Sequence, residues 1–301
     1  MEKLEENQSF LEALDTRLLI GDGAMGTVLQ GLGYLESPDT LNMDEAGIRK
    51  VTDVHLAYLH AGADLIQTNT FSSNPVKLRS RNLEDLLVPI NQKAVSAARE
   101  AIDLYRKDTG NDRKVFLGGN IGPLGVLMEP SGNMTYSQAL AFFSQQVEIL
   151  AASGIDAILI ETMMDINEAY AATQAAKAIG LPVICSLTFG LNGRTMMGNK
   201  AEDSVALLQD KGADVVGANC SLGSAKMLEI VKKMRNADRD AKLIFQPNAG
   251  LPVLKDNKTV YDETPQIMAE NISRYLNYNP SVIGACCGST PEHIKKITEL
   301  L

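Results

Sequence analysis

The sequence predicts an α/β protein folded as a (β/α)8 barrel, the TIM-barrel architecture, in a single domain over residues 1–301. Three observations carry that expectation. Short β-branched runs alternate with amphipathic stretches of helical length from one end of the chain to the other. The runs are almost continuously apolar, the pattern of parallel strands covered on both faces. Eight such pairs fall about 37 residues apart, in keeping with the roughly 250 residues that eight β–α units usually occupy. A doubly wound sheet is the competing architecture, but it rarely needs eight units so uniform. No linker, low-complexity tract or shift in composition divides the chain.

In order, the strands are "RLLIGD", "DLIQTN", "KVFLGGN", "DAILIET", "PVICSLT", "DVVGANC", "KLIFQPN" and "SVIGACC". The helices between them begin with "DEAGIRKVTDVHLAYLHAGA", whose apolar positions Ile48, Val51, Val54 and Tyr58 recur at helical spacing, and which ends at Gly62. "EDLLVPINQKAVSAAREAIDLYRK" follows and tolerates Pro89 near its start. "TYSQALAFFSQQVEILAASG" and "INEAYAATQAAKAIG" stop at Gly154 and Gly180, glycine after the last periodic residue being a C-cap signal. "AEDSVALLQDKGA", "SAKMLEIVKKMRN", "TPQIMAENISRYLNY" and "TPEHIKKITELL" complete eight. In the last of these Thr290 reads as the N-cap and Pro291 as the first helical residue.

Composition narrows the function classes. Hydrophobic residues at 45% and charged residues at 22% describe a globular chain. A net charge of −9 argues against nucleic acid as a partner, because phosphate binding wants a basic face. No run approaches the 18 apolar residues or so of a membrane span. The start, "MEKLEENQSFLEALD", is acidic and lacks an apolar signal core, so a cytoplasmic location is expected. With only four cysteines in such a compartment, metal binding or catalysis is favoured over a disulfide framework.

Barrel active sites lie at the carboxyl ends of the strands. Those ends carry Asp22, Asn69, Asn120, Glu161, Thr188, Cys220, Asn248, and Cys286 with Cys287. Some of these serve as ordinary turn residues, but a polar or metal-binding group at every strand end exceeds what turns require. Cys220 ends the sixth strand and the adjacent pair ends the eighth, so the three thiols can converge across the mouth. Neighbours in a regular strand point to opposite faces, hence both members of the pair can face one ion only if the strand breaks there, which Gly288 permits. Three thiolates suit Zn2+ with a fourth position left for substrate. Against this stand two plainer readings: cysteines packed as small hydrophobes, or a vicinal disulfide. Cys185, in mid-strand, reads as core.

Glu161 follows four apolar residues and emerges into the mouth as a buried carboxylate, which needs a cationic partner. No lysine or arginine stands at any other strand end, so a substrate ammonium would supply the charge. Gly21, Gly23 and Gly26 form a G-x-G-x-x-G, which raises a dinucleotide site; a lone match in this context equally allows close approach of backbone to a small ligand beside Asp22. His55, His60 and His293 fall on helices away from the thiols and read as structural. The segment "GLNGRTMMGNK", residues 190–200, has the composition of a flexible rim, with Arg194 a candidate for a substrate carboxylate.

At "GDGAMGT", "QTNTF", "GNIGP", "IETMMD", "GANCSLG", "PNAG" and "GACCGSTPEH" the chain resembles the zinc-dependent homocysteine S-methyltransferase family, in order and over nearly its whole length. "TNTF" and "CCGSTPEH" are most similar to the homocysteine-binding module of cobalamin-dependent methionine synthase. Relatives that use S-methylmethionine typically carry Arg after the double cysteine, where Gly288 stands here. The resemblance implies that Cys220, Cys286 and Cys287 bind Zn2+ and activate homocysteine. It places Asp22 and Glu161 near the amino group, with Asn69, Asn120 and Asn248 as further substrate-binding residues. It also implies methylcobalamin as the methyl donor, carried by a separate corrinoid protein or domain, since the cobalamin region of the full enzyme has no counterpart in this sequence. Two alternatives remain at this stage: S-methylmethionine or another small onium donor, and a thiol redox sensor with a Cys286–Cys287 switch.

Overall fold

All eight apolar runs form parallel strands of one sheet. In the computed structural model, which describes residues 8–255 and 258–301 except the side chain of Lys258, they are β1 (Leu19–Ile20), β2 (Leu65–Gln67), β3 (Phe116–Ile121), β4 (Ala157–Met163), β5 (Val183–Leu187), β6 (Val215–Gly223), β7 (Leu243–Asn248) and β10 (Val282–Ile283). A separate antiparallel hairpin, β8 (Val253–Lys255) and β9 (Lys258–Val260), sits between β7 and the next helix. The segment read as lacking a signal core falls partly on residues 1–7, outside the described residues.

The strand order is β1-β10-β7-β6-β5-β4-β3-β2, and a parallel bridge between Gly21 and Leu65 brings β1 back beside β2. The sheet therefore closes into a barrel, as expected. Around it lie α3 (Glu45–His60), α5 (Leu87–Thr109), α6 (Tyr136–Ala152), α7 (Ile166–Lys177), α8 (Ala201–Asp210), α9 (Ser224–Ala237), α10 (Pro265–Ser273) and α11 (Pro291–Leu300), the eight helices that the periodicity predicts. Three short helices were not expected: α1 (Phe10–Thr16), α2 (Gly26–Gly31) and α4 (Pro75–Arg79). No described helix is long and apolar enough to cross a membrane.

The apolar residues sort into two layers. Leu19, Leu65, Phe116, Leu159, Ile184, Val215, Ile244 and Val282 point into the barrel, while the opposite strand faces pack against the helices. α1 closes the amino-terminal end of the barrel: Phe10 and Leu14 join the interior cluster, and the Phe10 ring meets Phe116 edge-on at 5.3 Å. Ser9 and Glu12 form a capping box that starts this helix.

The same end is tied by one carboxylate. Asp64 accepts hydrogen bonds from the Ile20 backbone N–H at 3.0 Å, from Arg17 at 2.7 Å and from Arg113 at 2.9 Å, joining β1, β2 and the approach to β3. Its side chain is only 5% exposed, so removing it strands charge and a backbone donor away from water. Asp64→Ala should lower stability by about 3–5 kcal/mol in urea unfolding, the penalty typical of breaking a buried ion pair. Because Asp64 lies at the end opposite the strand-end thiols, the folded variant should bind metal like the wild type. Normal stability would show that the closure does not depend on this carboxylate.

Candidate functional site

The three expected thiols meet at the carboxyl end of the barrel. Cys220 Sγ lies 3.9 Å from Cys287 Sγ, Cys286 Sγ lies 4.0 Å from Cys287 Sγ, and all three sulfurs fall within 4.8 Å of one another. Four ligands at about 2.3 Å in a tetrahedron stand about 3.8 Å apart, so this spacing suits a soft divalent ion with one position left over. All four cysteines are free thiols; Cys185 is buried in β5, apart from the trio.

Backbone geometry explains how adjacent cysteines can share a centre. β10 ends at Ile283, three residues before Cys286, so the pair belongs to a loop and strand alternation no longer applies. The Cys286 N–H donates to the Pro247 carbonyl at 2.7 Å and the Ala249 N–H donates to the Cys287 carbonyl at 3.0 Å. Gly288 then turns with φ +81°, and a Cβ there would lie 2.1 Å from Cγ of Tyr261. Only glycine fits both demands. On β6 the register against β7 shifts between Asn219 and Gly223, with Cys220 and Ser221 at φ +59° and +58°. Non-glycine residues seldom adopt that region, and such strain concentrates at functional sites.

The thiols share their protons unevenly. Hydrogen bonds from Cys286 and then Cys287 draw Cys220 down to about 3, while the bond to Cys220 drives Cys286 well up and Cys287 to about 12. Without a cation the cage thus holds one negative charge readily and resists more. A divalent metal removes that restriction, because coordination deprotonates thiols outright.

A cavity of about 490 Å³ opens beside the cage, and among the described residues no lysine, arginine or histidine lines it. Three buried carboxylates do line it: Asp39, which is paired with Arg81 at 2.8 Å, and Asp22 and Glu161, which have no basic partner among the described residues. Burial raises Asp22 well above the usual range; N–H donation from the Gln67 backbone at 2.8 Å opposes that, and the charge of Glu161 adds to it. Burial raises Glu161 to about 7, with a 2.8 Å donor from Asn120 opposing and the charge of Cys220 adding. Amides link the two: Gln67 donates to Asp22 at 3.2 Å, and Asn120 donates to the Gln67 side-chain oxygen at 2.8 Å as well as to Glu161. Oδ1 of Asn120 is buried without a partner.

The remaining expected residues divide. Asn69 lines the cavity but commits its amide nitrogen to the Pro38 carbonyl at 2.8 Å and to Asn42 at 3.3 Å. Asn248 does not line it; its side chain hydrogen-bonds Cys220, and its own oxygen has no hydrogen-bond partner. Arg194 is exposed, donates to the Gly198 carbonyl at 2.8 Å within its own loop and does not line the cavity. Gly23 of the G-x-G-x-x-G has a structural duty: a Cβ there would come within 2.6 Å of Ser289 Oγ and 2.8 Å of the Tyr58 hydroxyl, so the segment packs tightly on the loop carrying the double cysteine. His55 is buried with neither nitrogen bonded, His293 caps α11 through Thr290, and His60 sits near Asp108, all consistent with structural roles. Sequence reasoning missed Gln67, Asn219 and Tyr261. Of these, Gln67 opens the quoted "QTNTF" and Asn219 falls within "GANC", where only the neighbouring residues stood out.

Fold and site together define a barrel protein with a cluster of three thiols opening on a cavity lined by carboxylates. The homocysteine S-methyltransferase family model matches residues 19–301, and the chain belongs to that family. It is 31% identical over 306 residues to the methionine synthase of Mycobacterium leprae, covering 95% of this chain and 24% of that protein. The Mycobacterium tuberculosis methionine synthase matches equally at 31%, over 25% of its length. The chain therefore spans about a quarter of the length of these curated relatives. The metallated form of the homocysteine methyltransferase MmuM from Escherichia coli superposes with a TM-score of 0.80 at 23% identity, covering 95% of this chain and 97% of that one. Its oxidised form gives 0.82 at 21% identity, covering 98% and 99%. Both confirm the barrel.

Cys220→Ala, Cys286→Ala and Cys287→Ala should each abolish retention of about one metal ion per chain by elemental analysis, while Cys185→Ala retains it. Folding by circular dichroism should survive, because the core is complete without the cage. Purified protein free of metal with an oxidised Cys286–Cys287 pair would point instead to the redox-sensor reading.

Proposed function

We propose that this chain methylates homocysteine to methionine, with Zn2+ held by Cys220, Cys286 and Cys287 and with Asp22 and Glu161 receiving the α-ammonium. The donor in this reading is methylcobalamin carried by a separate corrinoid protein or domain. The observation that carries the proposal is the juxtaposition of a thiol cage and two buried carboxylates without a basic partner on one cavity that no cation among the described residues lines. Homocysteine has a thiol for the first and an ammonium for the second.

Zinc, when bound, supplies a Lewis acid that keeps the substrate sulfur deprotonated at neutral pH. The protein's own groups do the rest. Asp22 and Glu161 offer negative charge in a dry setting, where an ammonium replaces the water they have lost. Asn120 orients Glu161 and leaves Oδ1 free to accept a third hydrogen bond. Asn248 supports Cys220 from outside the cavity, and Asn69 fixes the wall formed by the first two loops.

Three features support a protein-borne donor over S-methylmethionine. The curated relatives are methionine synthases of which this chain matches one part. The space beside residue 288, where users of S-methylmethionine carry Arg, is filled by the Tyr261 ring. Exposed apolar side chains gather on the strand-to-helix loops around the mouth, among them Leu35, Val126, Leu127, Leu191, Met196, Leu251 and Leu254. An apolar rim of that kind suits contact with a second macromolecule.

Methionine formation from homocysteine should therefore occur with methylcobalamin and not with S-methylmethionine or S-adenosylmethionine, tested in parallel on zinc-loaded protein. Turnover with S-methylmethionine alone would reverse the assignment of the donor.

The carboxylates yield a second prediction, on pH. A protonated carboxyl cannot pair with an ammonium, so homocysteine affinity should fall as pH drops through about 7, where Glu161 takes up its proton. Glu161→Gln should weaken homocysteine binding roughly 10- to 100-fold above that pH, from about 1.5–3 kcal/mol for a charged hydrogen bond, and flatten the profile. A thiol without an amino group should be nearly indifferent to the Glu161→Gln substitution. If both thiols weaken equally, Glu161 serves the cage or the fold instead.

A further inference from the structure

Asn219 is fully buried, is not a thiol ligand and does not line the cavity, yet its side chain reaches both Glu161 and Cys286. Its Oδ1 accepts from the Thr162 backbone N–H at 2.7 Å. Its Nδ2 donates to Thr162 Oγ1 at 2.8 Å and to Glu161 Oε2 at 3.1 Å, and lies 3.9 Å from Cys286 Sγ. A carboxamide nitrogen has two protons, and here it faces three acceptors. Glu161 and Cys286 therefore compete for the same donor.

The backbone around Asn219 is strained on both sides. Thr162, which follows Glu161, has φ +61°, and Cys220, which follows Asn219 itself, has φ +59°. A β-branched residue in that region is a genuine outlier and persists only when its surroundings over-determine it. Both polar groups of Asn219 grip Thr162, so one side chain on β6 fixes the turn after the carboxylate on β4. The carboxylate and the cage are thus held by a single amide.

We infer that Asn219 is a positioning residue that couples recognition of the amino group to the metal centre. The inference rests on the homocysteine reading above. An ammonium paired with Glu161 takes up part of the carboxylate's charge and weakens its hold on the shared proton. The amide then hydrogen-bonds more strongly to the Cys286 sulfur, which carries negative charge when it holds a metal. An amino acid in the cavity raises metal affinity, and by linkage the metal raises affinity for the amino acid by the same factor.

The test uses 2-aminobutyrate, which is homocysteine with hydrogen in place of the thiol and cannot reach the metal through sulfur. Zinc affinity of the full chain is measured by competition with a chelator, with and without saturating 2-aminobutyrate. In the wild type the ligand should tighten zinc binding by about five-fold or more, the low end of ordinary coupling between sites. Asn219→Ala and Asn219→Asp, neither of which can donate to Glu161 and Cys286, should bring that ratio to about one even where zinc binding is weaker overall. Thiolate-to-metal charge-transfer bands of the cobalt-substituted wild type should shift on adding 2-aminobutyrate, a readout that a purely structural role would not move. Binding of 2-aminobutyrate without any change in zinc affinity overturns the coupling, as does a ratio that survives in the Asn219 variants. Failure to bind either 2-aminobutyrate or homocysteine overturns the homocysteine reading itself, and the coupling with it.

Discussion

The site is governed by an excess of buried negative charge. Asp22, Glu161 and three thiols converge on one end of the barrel, and among the described residues no basic side chain lines the cavity they share. Left to itself, such a cluster responds by holding protons, as the raised carboxyls and the pair of raised thiols show. Two kinds of cation would relieve it, a soft divalent ion at the sulfurs and an ammonium at the carboxylates. No described side chain in the lining supplies either, so in the proposed reading the charged state depends on what the site binds.

Holding five acidic groups in place without cations takes an amide framework and a rigid barrel. Gln67, Asn120 and Asn219 run from Asp22 through Glu161 to Cys286, donating to the charges that the fold leaves exposed to one another. Left-handed backbone at Thr162, Cys220 and Ser221 aims these groups, and a 2.5 Å hydroxyl contact between Ser221 and Thr188 steadies the bend. At the far end, α1 and the Asp64 ion pairs close the barrel. The acidic groups without a basic partner gather at the carboxyl end, while the buried carboxylate at the other end is paired with arginines, in keeping with an architecture that keeps its chemistry at one end.

Strand and helix periods made the barrel legible, because buried parallel strands and amphipathic helices leave distinct marks on a sequence. Strand ends then located Asp22, Glu161 and the three cysteines, since a polar group after an apolar run has few other places to go. What escaped was set by tertiary contact. The amide of Asn219 is ordinary in sequence and matters only because β4 stands across from β6. Tyr261 belongs to a loop whose packing on Gly288 no local pattern announces. Arg194 looked suited to a carboxylate by charge and by its glycine neighbours, but its guanidinium turns back on its own loop. α1 was legible in principle, for Ser9 and Glu12 spell a capping box, yet at seven residues it was too short for a periodic signal.

The central claim is that homocysteine sulfur completes a metal centre built from Cys220, Cys286 and Cys287. X-ray absorption at the zinc edge tests it most directly, by counting sulfur neighbours of the metal with and without homocysteine. The account predicts three sulfurs in the free protein and four on saturation. A count that stays at three with homocysteine bound, or that falls below three in its absence, would contradict it.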